Sequence, residues 1–194
     1  MNTFYNNLGL KIQQAVKEVM PKILQKAGDE TIYTAALVTD SDCITLFLAI
    51  NTYEYLEKRD QEYLEEMDFD LSEEDQTDLE EGTASLTKWL PDEWGYSDDD
   101  SELFNEISNL LFTHDKEQQF DDDAYEEHQN KFFETVTSAF QHLIDEKVFG
   151  EHTEEILYFI SISDDDNAQE LENESAKQLN PPQLYEPFVN RCIL

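Results

Sequence analysis

This sequence is poor in several residues that common functional sites require. It has only five glycines and no glycine-rich loop that could cradle phosphate groups. Its two cysteines, Cys43 and Cys192, form no CxxC pair and are too few for a disulfide framework, which favours reduced thiols. The N-terminus lacks the pattern of a signal peptide, and no apolar run approaches the ~18 residues of a membrane span. The sequence therefore predicts a cytoplasmic protein without a membrane segment.

Basic residues are also scarce. The chain has 12 lysines and arginines against 46 aspartates and glutamates, a formal net charge of −34. Proteins that bind nucleic acid directly neutralise phosphates with lysine and arginine, and this chain has no basic stripe that could do so. The same charge repels anionic membrane surfaces. A basic protein is therefore the class of partner that the composition favours.

The acidic residues are clustered rather than spread evenly along the chain. Residues 54–127 hold 28 acidic and four basic residues, a net charge of −24, whereas residues 1–53 have a net charge of −1 and residues 128–194 one of −9. Charge at this density repels itself and lowers stability. Adaptation to high salt is a weaker explanation, because the charge is local and ten of the 12 basic residues are lysines. The clustering indicates that the negative charge of this surface has a function, such as attracting a basic partner.

Hydrophobic periodicity predicts an α+β fold in which a small, mostly antiparallel sheet packs against about five helices. The sheet is expected to contain a hairpin over 31–50 with its turn at 40–42, an edge segment near 87–95, and a strand over 155–163. Helices are predicted over 3–27 with a kink or break at Pro21, over 52–67, from 98–102 onward, over 121–147, and from 164–167 to about 179. The tail 183–194 is expected to pack irregularly.

The content of apolar and aromatic residues, 39% and 12%, is sufficient to fill one core. We therefore expect residues 1–194 to form a single domain. The stretch 57–86 is acidic and poor in large apolar side chains, and it is interpreted as a surface insertion in that domain.

No pattern of catalytic or metal-binding residues stands out. The aspartate triplets at 98–100, 121–123 and 164–166 lack the glycine of a calcium loop, and each lies where a helix is expected to begin. The four histidines occur in no HExxH or ExxH pair and are interpreted as surface residues. The sequence thus predicts no metal, no cofactor and no enzyme. An unrecognised active site would require an acid with a strongly perturbed pKa, for which Glu93 between two aromatic residues is the candidate.

Two segments resemble the pattern of a bacterial family known only as a domain of unknown function. They are AINTYEYL at 49–56, which fits AxNTxExL, and WLPDEWGY at 89–96, which fits WxPxEWxY. The segments ISISD at 160–164 and SAKQLNP at 175–181 extend the resemblance, which spans residues 4–181. The family implies no established activity, but several of its relatives resemble immunity proteins of bacterial toxin systems.

These observations favour an acidic immunity protein that binds and neutralises a basic toxin domain, most simply a nuclease. A nuclease needs a basic surface to hold its substrate, and an inhibitor that covers this surface must be acidic. Complementary charge also accelerates association. The expected partner-binding residues are Glu73, Glu74, Asp75, Tyr96, Asp98, Asp99, Asp100, Asp121, Asp122, Asp123, Tyr125, Glu126 and Glu127. Phe120 is a further candidate for an aromatic anchor among these charges.

The alternative hypothesis is a nucleic-acid mimic or acidic adaptor that sequesters a DNA-binding protein. Rows of carboxylates can imitate duplex DNA, which carries one charge per ~1.7 Å of its axis. The two hypotheses differ in the partner, and competition by duplex DNA would favour the second. For any single acidic residue, a solvated surface position without a partner is the simpler interpretation.

Overall fold

The computed structural model describes residues 2–66, 85–97, 101–163 and 168–191. These residues form six α-helices, four β-strands and two short 3₁₀ turns. In chain order the elements are α1 (Asn2–Ala27), β1 (Ile32–Thr39), β2 (Phe47–Thr52), α2 (Tyr53–Glu66), a 3₁₀ turn (Pro91–Glu93), β3 (Tyr96–Ser97), α3 (Glu102–Gln118), α4 (Asp122–Asp145), a 3₁₀ turn (Thr153–Glu155), β4 (Leu157–Ile162), α5 (Ala168–Leu179) and α6 (Pro182–Val189). The predicted α+β class is confirmed.

The four strands form one mixed sheet in the order β3-β2-β1-β4. β1 pairs antiparallel with β2, and β2 pairs antiparallel with the short β3. β4 lies parallel to β1, with Thr34 opposite Leu157 and Thr39 opposite Ile162. The sheet is therefore mostly antiparallel, as expected, but its β1–β4 pairing is parallel.

Both faces of the sheet are covered, which explains why β1 is apolar almost throughout. On one face Leu37 and Ile160 belong to a large core with the apolar sides of α1, α3 and α4. On the other face Val38 and Phe159 pack in a smaller cluster with Trp94 and Phe188. Because alternate strand residues point to opposite faces, both residue sets of β1 must be apolar.

Several predicted boundaries were wrong. β2 begins at Phe47 rather than at Cys43, because Asp40 organises the preceding residues into a wide loop. The Asp40 carboxylate accepts hydrogen bonds from the backbone N–H groups of Asp42 (2.9 Å) and Ile44 (3.2 Å) and from the hydroxyl of Thr45. Such bonds compete with strand pairing.

The expected edge segment near 87–95 is not a strand. Pro91 begins a 3₁₀ turn, and only Tyr96 and Ser97 pair with β2. Pro21 does not break α1, since the helix continues to Ala27. The tail is not irregular either: α6 occupies Pro182–Val189, and Pro182 suits the first helical position because it has no N–H to satisfy there.

The outer edge of β4 is closed by side chains instead of another strand. Asn180 accepts from Tyr158 N (2.9 Å) and donates to Tyr158 O (2.6 Å), which imitates a strand partner. Two residues along, the Ser175 hydroxyl accepts from Ile160 N (2.9 Å). An open edge is a site for pairing with another chain, and these contacts occupy its backbone groups.

Residues 67–84, most of the expected insertion at 57–86, lie outside the described residues. Residues 57–66, the beginning of the expected insertion, are instead part of α2. Across the four described ranges of the chain, no helix is both long and apolar enough to cross a membrane.

Candidate partner-binding surface

The start of α4 carries the densest group of exposed acidic residues that the structure describes. Asp121 caps the helix, and its carboxylate accepts a hydrogen bond from Ala124 N (3.0 Å). Asp122 and Asp123 follow in the first turn with their side chains exposed, where the positive end of the helix dipole favours their charge. We call this group the α4 acidic patch; its exposed members are Asp121, Asp122, Asp123, Glu126 and Glu127.

A distant part of the chain extends this patch. The hydroxyl of Tyr125 and the amide of Gln129 donate to the carbonyl oxygen of Ser41, at 3.4 and 3.2 Å, and hold the β1–β2 loop against α4. Burial raises the pKa of Tyr125 to about 12, and the charges of Asp40 and Asp42 on the loop contribute. Asp115 of α3 acts on Tyr125 in the same way. Carboxylates from two other segments, the β1–β2 loop and α3, thus act on this tyrosine of α4.

The sequence did not identify the loop acids as part of the surface. Asp40 and Asp42 lie in a segment with almost no net charge, more than 80 positions before Tyr125. Their approach to α4 depends on tertiary packing, and no local pattern encodes it.

The other predicted partner-binding residues do not join the patch. Glu73, Glu74, Asp75, Asp98, Asp99 and Asp100 lie outside the described residues. Tyr96 is half-buried in β3, where its hydroxyl donates to Glu30 (2.7 Å). Ile50, its partner in β2, lies near Thr52, whereas the β1–β2 loop precedes Phe47. Tyr96 is therefore at the opposite end of the hairpin from Tyr125.

Beside the α4 acidic patch is a cleft of about 540 Å³ between α1, α3 and α4. Two stacked ring pairs line it. Phe4 and His114 have ring centroids 3.6 Å apart, Phe120 and His128 have centroids 4.7 Å apart, and both pairs are within 16° of coplanar. Asp121 also lines this space, which we call the aromatic cleft.

The expectation that all four histidines lie on the surface was wrong for His128, which is 2% exposed. The residue precedes Phe132 and Val136 by four and eight positions, so it continues the apolar stripe of α4. That spacing was a usable signal. Its Nδ1 forms a hydrogen bond with the hydroxyl of Tyr5 (2.9 Å), which ties α4 to the first turns of α1.

Neither histidine of the cleft is cationic near neutral pH. Burial lowers the pKa of His128 from its ordinary value, and the nearby His114 lowers it further. Burial likewise lowers the pKa of His114. Since an unperturbed imidazole titrates near 6.5, both rings are mainly neutral at pH 7. Lys131, the cation that lines the cleft, is paired with Glu127.

The AxNTxExL segment has a structural role at the other end of the hairpin. Asn51 donates to the hydroxyl of Tyr33 (3.0 Å) and accepts from Thr52 N (3.1 Å). The Thr52 hydroxyl donates to Glu30 (2.6 Å) and accepts from Tyr55 N (3.1 Å), which caps α2. These residues join the end of β2 to the start of a helix.

The WxPxEWxY segment is also occupied with internal contacts. Trp94 is buried, and its indole N–H donates to the carbonyl of Lys88 (3.2 Å). Glu93 is not a buried acid: its side chain is 31% exposed, and one of its oxygens accepts from Nε (2.9 Å) and Nη2 (2.7 Å) of Arg59. The interpretation of this segment as packing accounts for both residues.

A third polar cluster joins the C-terminal region to β4. Glu172 is buried, accepts from the Ser161 hydroxyl (2.5 Å), and pairs with Arg191. The guanidinium of Arg191 also lies 3.8 Å from the ring centroid of Phe188. These groups hold α5 and the segment after α6 together. They form no recognisable catalytic arrangement, and within the described parts of the chain no three His, Cys, Asp or Glu side chains are placed to hold a metal ion.

Comparison with known proteins places these segments in a family. Residues 12–181 match the model of DUF4303, a domain of unknown function. Because the match covers most of the chain, the protein belongs to this family. No curated protein and no solved structure matched the chain. The predicted kinship with an uncharacterised family is confirmed, and the suspected link to immunity proteins stays a hypothesis.

Proposed function

We propose that this protein is an acidic immunity protein that binds and neutralises a basic toxin domain, and that the toxin cleaves nucleic acid. The observation that carries the proposal is the approach of carboxylates from the β1–β2 loop and α3 to Tyr125, beside the exposed carboxylates of α4. Folding has to overcome the repulsion among these charges. A basic partner would relieve that repulsion on binding.

The form of the surface agrees with an inhibitor of a nucleic-acid enzyme. Half-buried Tyr125 and Phe120 lie among the exposed carboxylates, and aromatic residues ringed by polar groups are common centres of binding energy. The charges would draw a basic protein in, and the rings would slow its release. The protein acts as a binding module in this proposal and catalyses no reaction.

The first experiment is capture of partners on the full-length protein from a lysate of the source organism, with washes at low and high salt. A retained basic protein is then purified, and its cleavage of DNA and RNA is measured with increasing amounts of the acidic protein. Loss of cleavage at a 1:1 ratio is the expected result. A retained protein that keeps its full activity in the complex would contradict the proposal.

Matched variants connect the result to the surface. Neutralising Asp122, Asp123 and Glu126 as Asn, Asn and Gln removes three charges but keeps the Asp121 cap. The control neutralises Asp145, Glu151 and Glu155, which are exposed near the other end of α4 and beyond it. Association at low salt is expected to slow about tenfold in the first variant and much less in the control. Equal slowing would mean that total charge, not this surface, attracts the partner.

The same complex distinguishes the alternative. A nucleic-acid mimic would occupy the site at which its partner holds duplex DNA, and the partner would be a DNA-binding protein without cleavage activity. Displacement by duplex DNA from such a partner would favour the mimic over the immunity protein.

A further inference from the structure

The aromatic cleft combines two features that favour a cation. Its walls carry the rings of Phe4, Tyr5 and Phe120 together with two imidazoles, and aromatic faces attract positive charge. Asp121 and Glu127, both exposed, supply carboxylates next to these rings. Glu127 is already paired with Lys131, so an anion would meet chiefly the charge of Asp121, and an uncharged apolar group would leave that charge without a counterion.

The side chains of the cleft add little positive charge that would oppose a cation, although the positive end of the α4 dipole lies at Asp121. Lys131 is paired with Glu127, and both imidazoles are mainly neutral at pH 7 because burial lowers their pKa values. The carboxylate of Asp115 acts on both histidines and adds to the negative field. The Nδ1 atom of the His128 ring forms the hydrogen bond to Tyr5, and the other ring nitrogen, Nε2, has no hydrogen-bond partner among the described residues.

Among protein cations, arginine fits these walls better than lysine. A guanidinium group is planar and weakly hydrated, so it stacks on aromatic rings and still directs N–H donors to a carboxylate. An ammonium group is compact and strongly hydrated, and it would lose more of its solvent in the same space. At about 540 Å³ the cleft has room for a long side chain and part of the backbone that carries it.

We propose that the aromatic cleft binds the guanidinium group of an arginine side chain on the basic partner, with the group against the Phe120 ring and bonded to Asp121. This proposal rests on the proposed function, since a basic protein partner supplies the arginine. The cleft adjoins the α4 acidic patch through Asp121, which belongs to both. Patch and cleft would thus act on one partner, the first by attraction at a distance and the second by contact.

The test is an NMR titration of the full-length protein with arginine blocked at both ends, N-acetyl-arginine methylamide, at pH 7.5 and fixed ionic strength. The imidazole resonances serve as reporters because His114 and His128 line the cleft, whereas His142 and His152 are exposed elsewhere. Saturable shifts confined to the first pair are expected. Equal shifts of all four histidines, or shifts that never saturate, would overturn the proposal.

Variants and a second ligand sharpen this test. Blocked lysine is expected to bind at least threefold more weakly than blocked arginine. Asp121→Asn keeps a capping residue and Phe120→Leu keeps an apolar one, and each is expected to weaken arginine binding at least threefold. Asp122→Asn removes the same charge one residue outside the cleft and should have a smaller effect. Equal losses in Asp121→Asn and Asp122→Asn would show general attraction to the patch and would overturn the cleft.

The titration needs no partner protein, so the two proposals can fail separately. If arginine binds saturably but no toxin is inhibited, the proposed function is refuted and the cleft is still supported as an arginine site. If a toxin is inhibited but arginine does not bind, only the proposal of an arginine site in the cleft is refuted.

Discussion

The two ends of the β1–β2 hairpin use their polar side chains in opposite ways. At the end formed by Tyr33, Asn51 and Thr52, polar groups satisfy one another and fix the junctions between elements. At the loop end, Asp42 and the α4 acidic patch expose their charge to solvent. Two of the segments that resemble the family pattern, AINTYEYL at 49–56 and WLPDEWGY at 89–96, lie at or near the first end. These two motifs therefore describe how the protein folds, and neither of them contributes to the α4 acidic patch.

Among the polar side chains that serve folding, Asn180 should show the largest effect on stability when it is replaced by alanine. The change leaves Tyr158 N–H and C=O without partners at a buried strand edge, and we expect a loss of about 3 kcal/mol in the free energy of unfolding. Urea denaturation measures it. Asn190→Ala is the matched control, because Asn190 makes a similar bond to Glu186 O on the surface and its loss should cost less than about 0.5 kcal/mol. Similar losses in both variants would contradict the account of the β4 edge.

A methyl group at Gly95 should have the next largest effect. The Cβ of Gly95→Ala would lie 2.5 Å from the ring of Tyr55, and relief of that clash is expected to cost about 2 kcal/mol. Gly9→Ala is the control. Gly9 lies inside α1, where alanine is favoured over glycine, and the new Cβ would be at an ordinary contact distance of 3.5 Å from Thr135 of α4. The cost at position 95 should shrink in a Tyr55→Ala background. If it does not, the clash is not its origin.

The aromatic cleft should link stability to pH through His128. Burial lowers the pKa of His128 in the folded state, so the unfolded chain takes up a proton more readily as the pH falls below about 6.5. The stability that neutral His128 provides is therefore present above that pH and is lost as the pH falls towards the folded pKa. Tyr5, His114 and Asp115 face the ring and remain in both proteins when His128→Gln is compared with wild type.

Urea unfolding at a series of pH values between 7.5 and 5 checks this prediction. The advantage of wild type over His128→Gln should shrink as the pH falls. His152→Gln, at an exposed histidine outside the cleft, is the matched variant. Parallel profiles for wild type and His128→Gln would contradict a titration linked to the burial of this ring.

The smallest effect on stability is expected for the variant that neutralises Asp122, Asp123 and Glu126. These exposed side chains make no contact on which the core depends, and the loss of favourable interaction with the α4 dipole opposes the relief of repulsion. The free energy of unfolding should change by less than about 0.5 kcal/mol. A much larger loss would mean that the patch, like the motifs, is part of the folding machinery.

Local patterns were sufficient to predict most of the secondary structure. The stripes of α1 and α4, the apolar β1 and the run that became β4 all follow from periodicity of three to four or from continuous β-branched content. The errors occurred where a side-chain hydrogen bond or a proline overrode the preference of the apolar residues for a strand. The Asp40 side chain delays β2, and Pro91 with its aromatic neighbours forms a turn instead of a strand.

The site was harder to predict than the fold because it depends on contacts between distant segments. The acids and Tyr125 of α4 were identified from charge, but the docking of Ser41 on Tyr125 and the stacking of Phe4 on His114 join residues more than 80 positions apart. His128 was misassigned although its spacing from Phe132 marked the buried face. A polar residue on an apolar stripe is a signal that composition alone conceals.

The parallel pairing of β1 with β4 also has a consequence for how the chain is made. Thr34 donates to the carbonyl of Leu157 across 123 positions, so the central strand lacks one neighbour until most of the polypeptide has left the ribosome. During that interval β1 has only β2 beside it, while the acidic middle of the chain is synthesised. Contacts this far apart slow folding, and the accumulated negative charge would keep nascent chains from associating through the unfinished sheet.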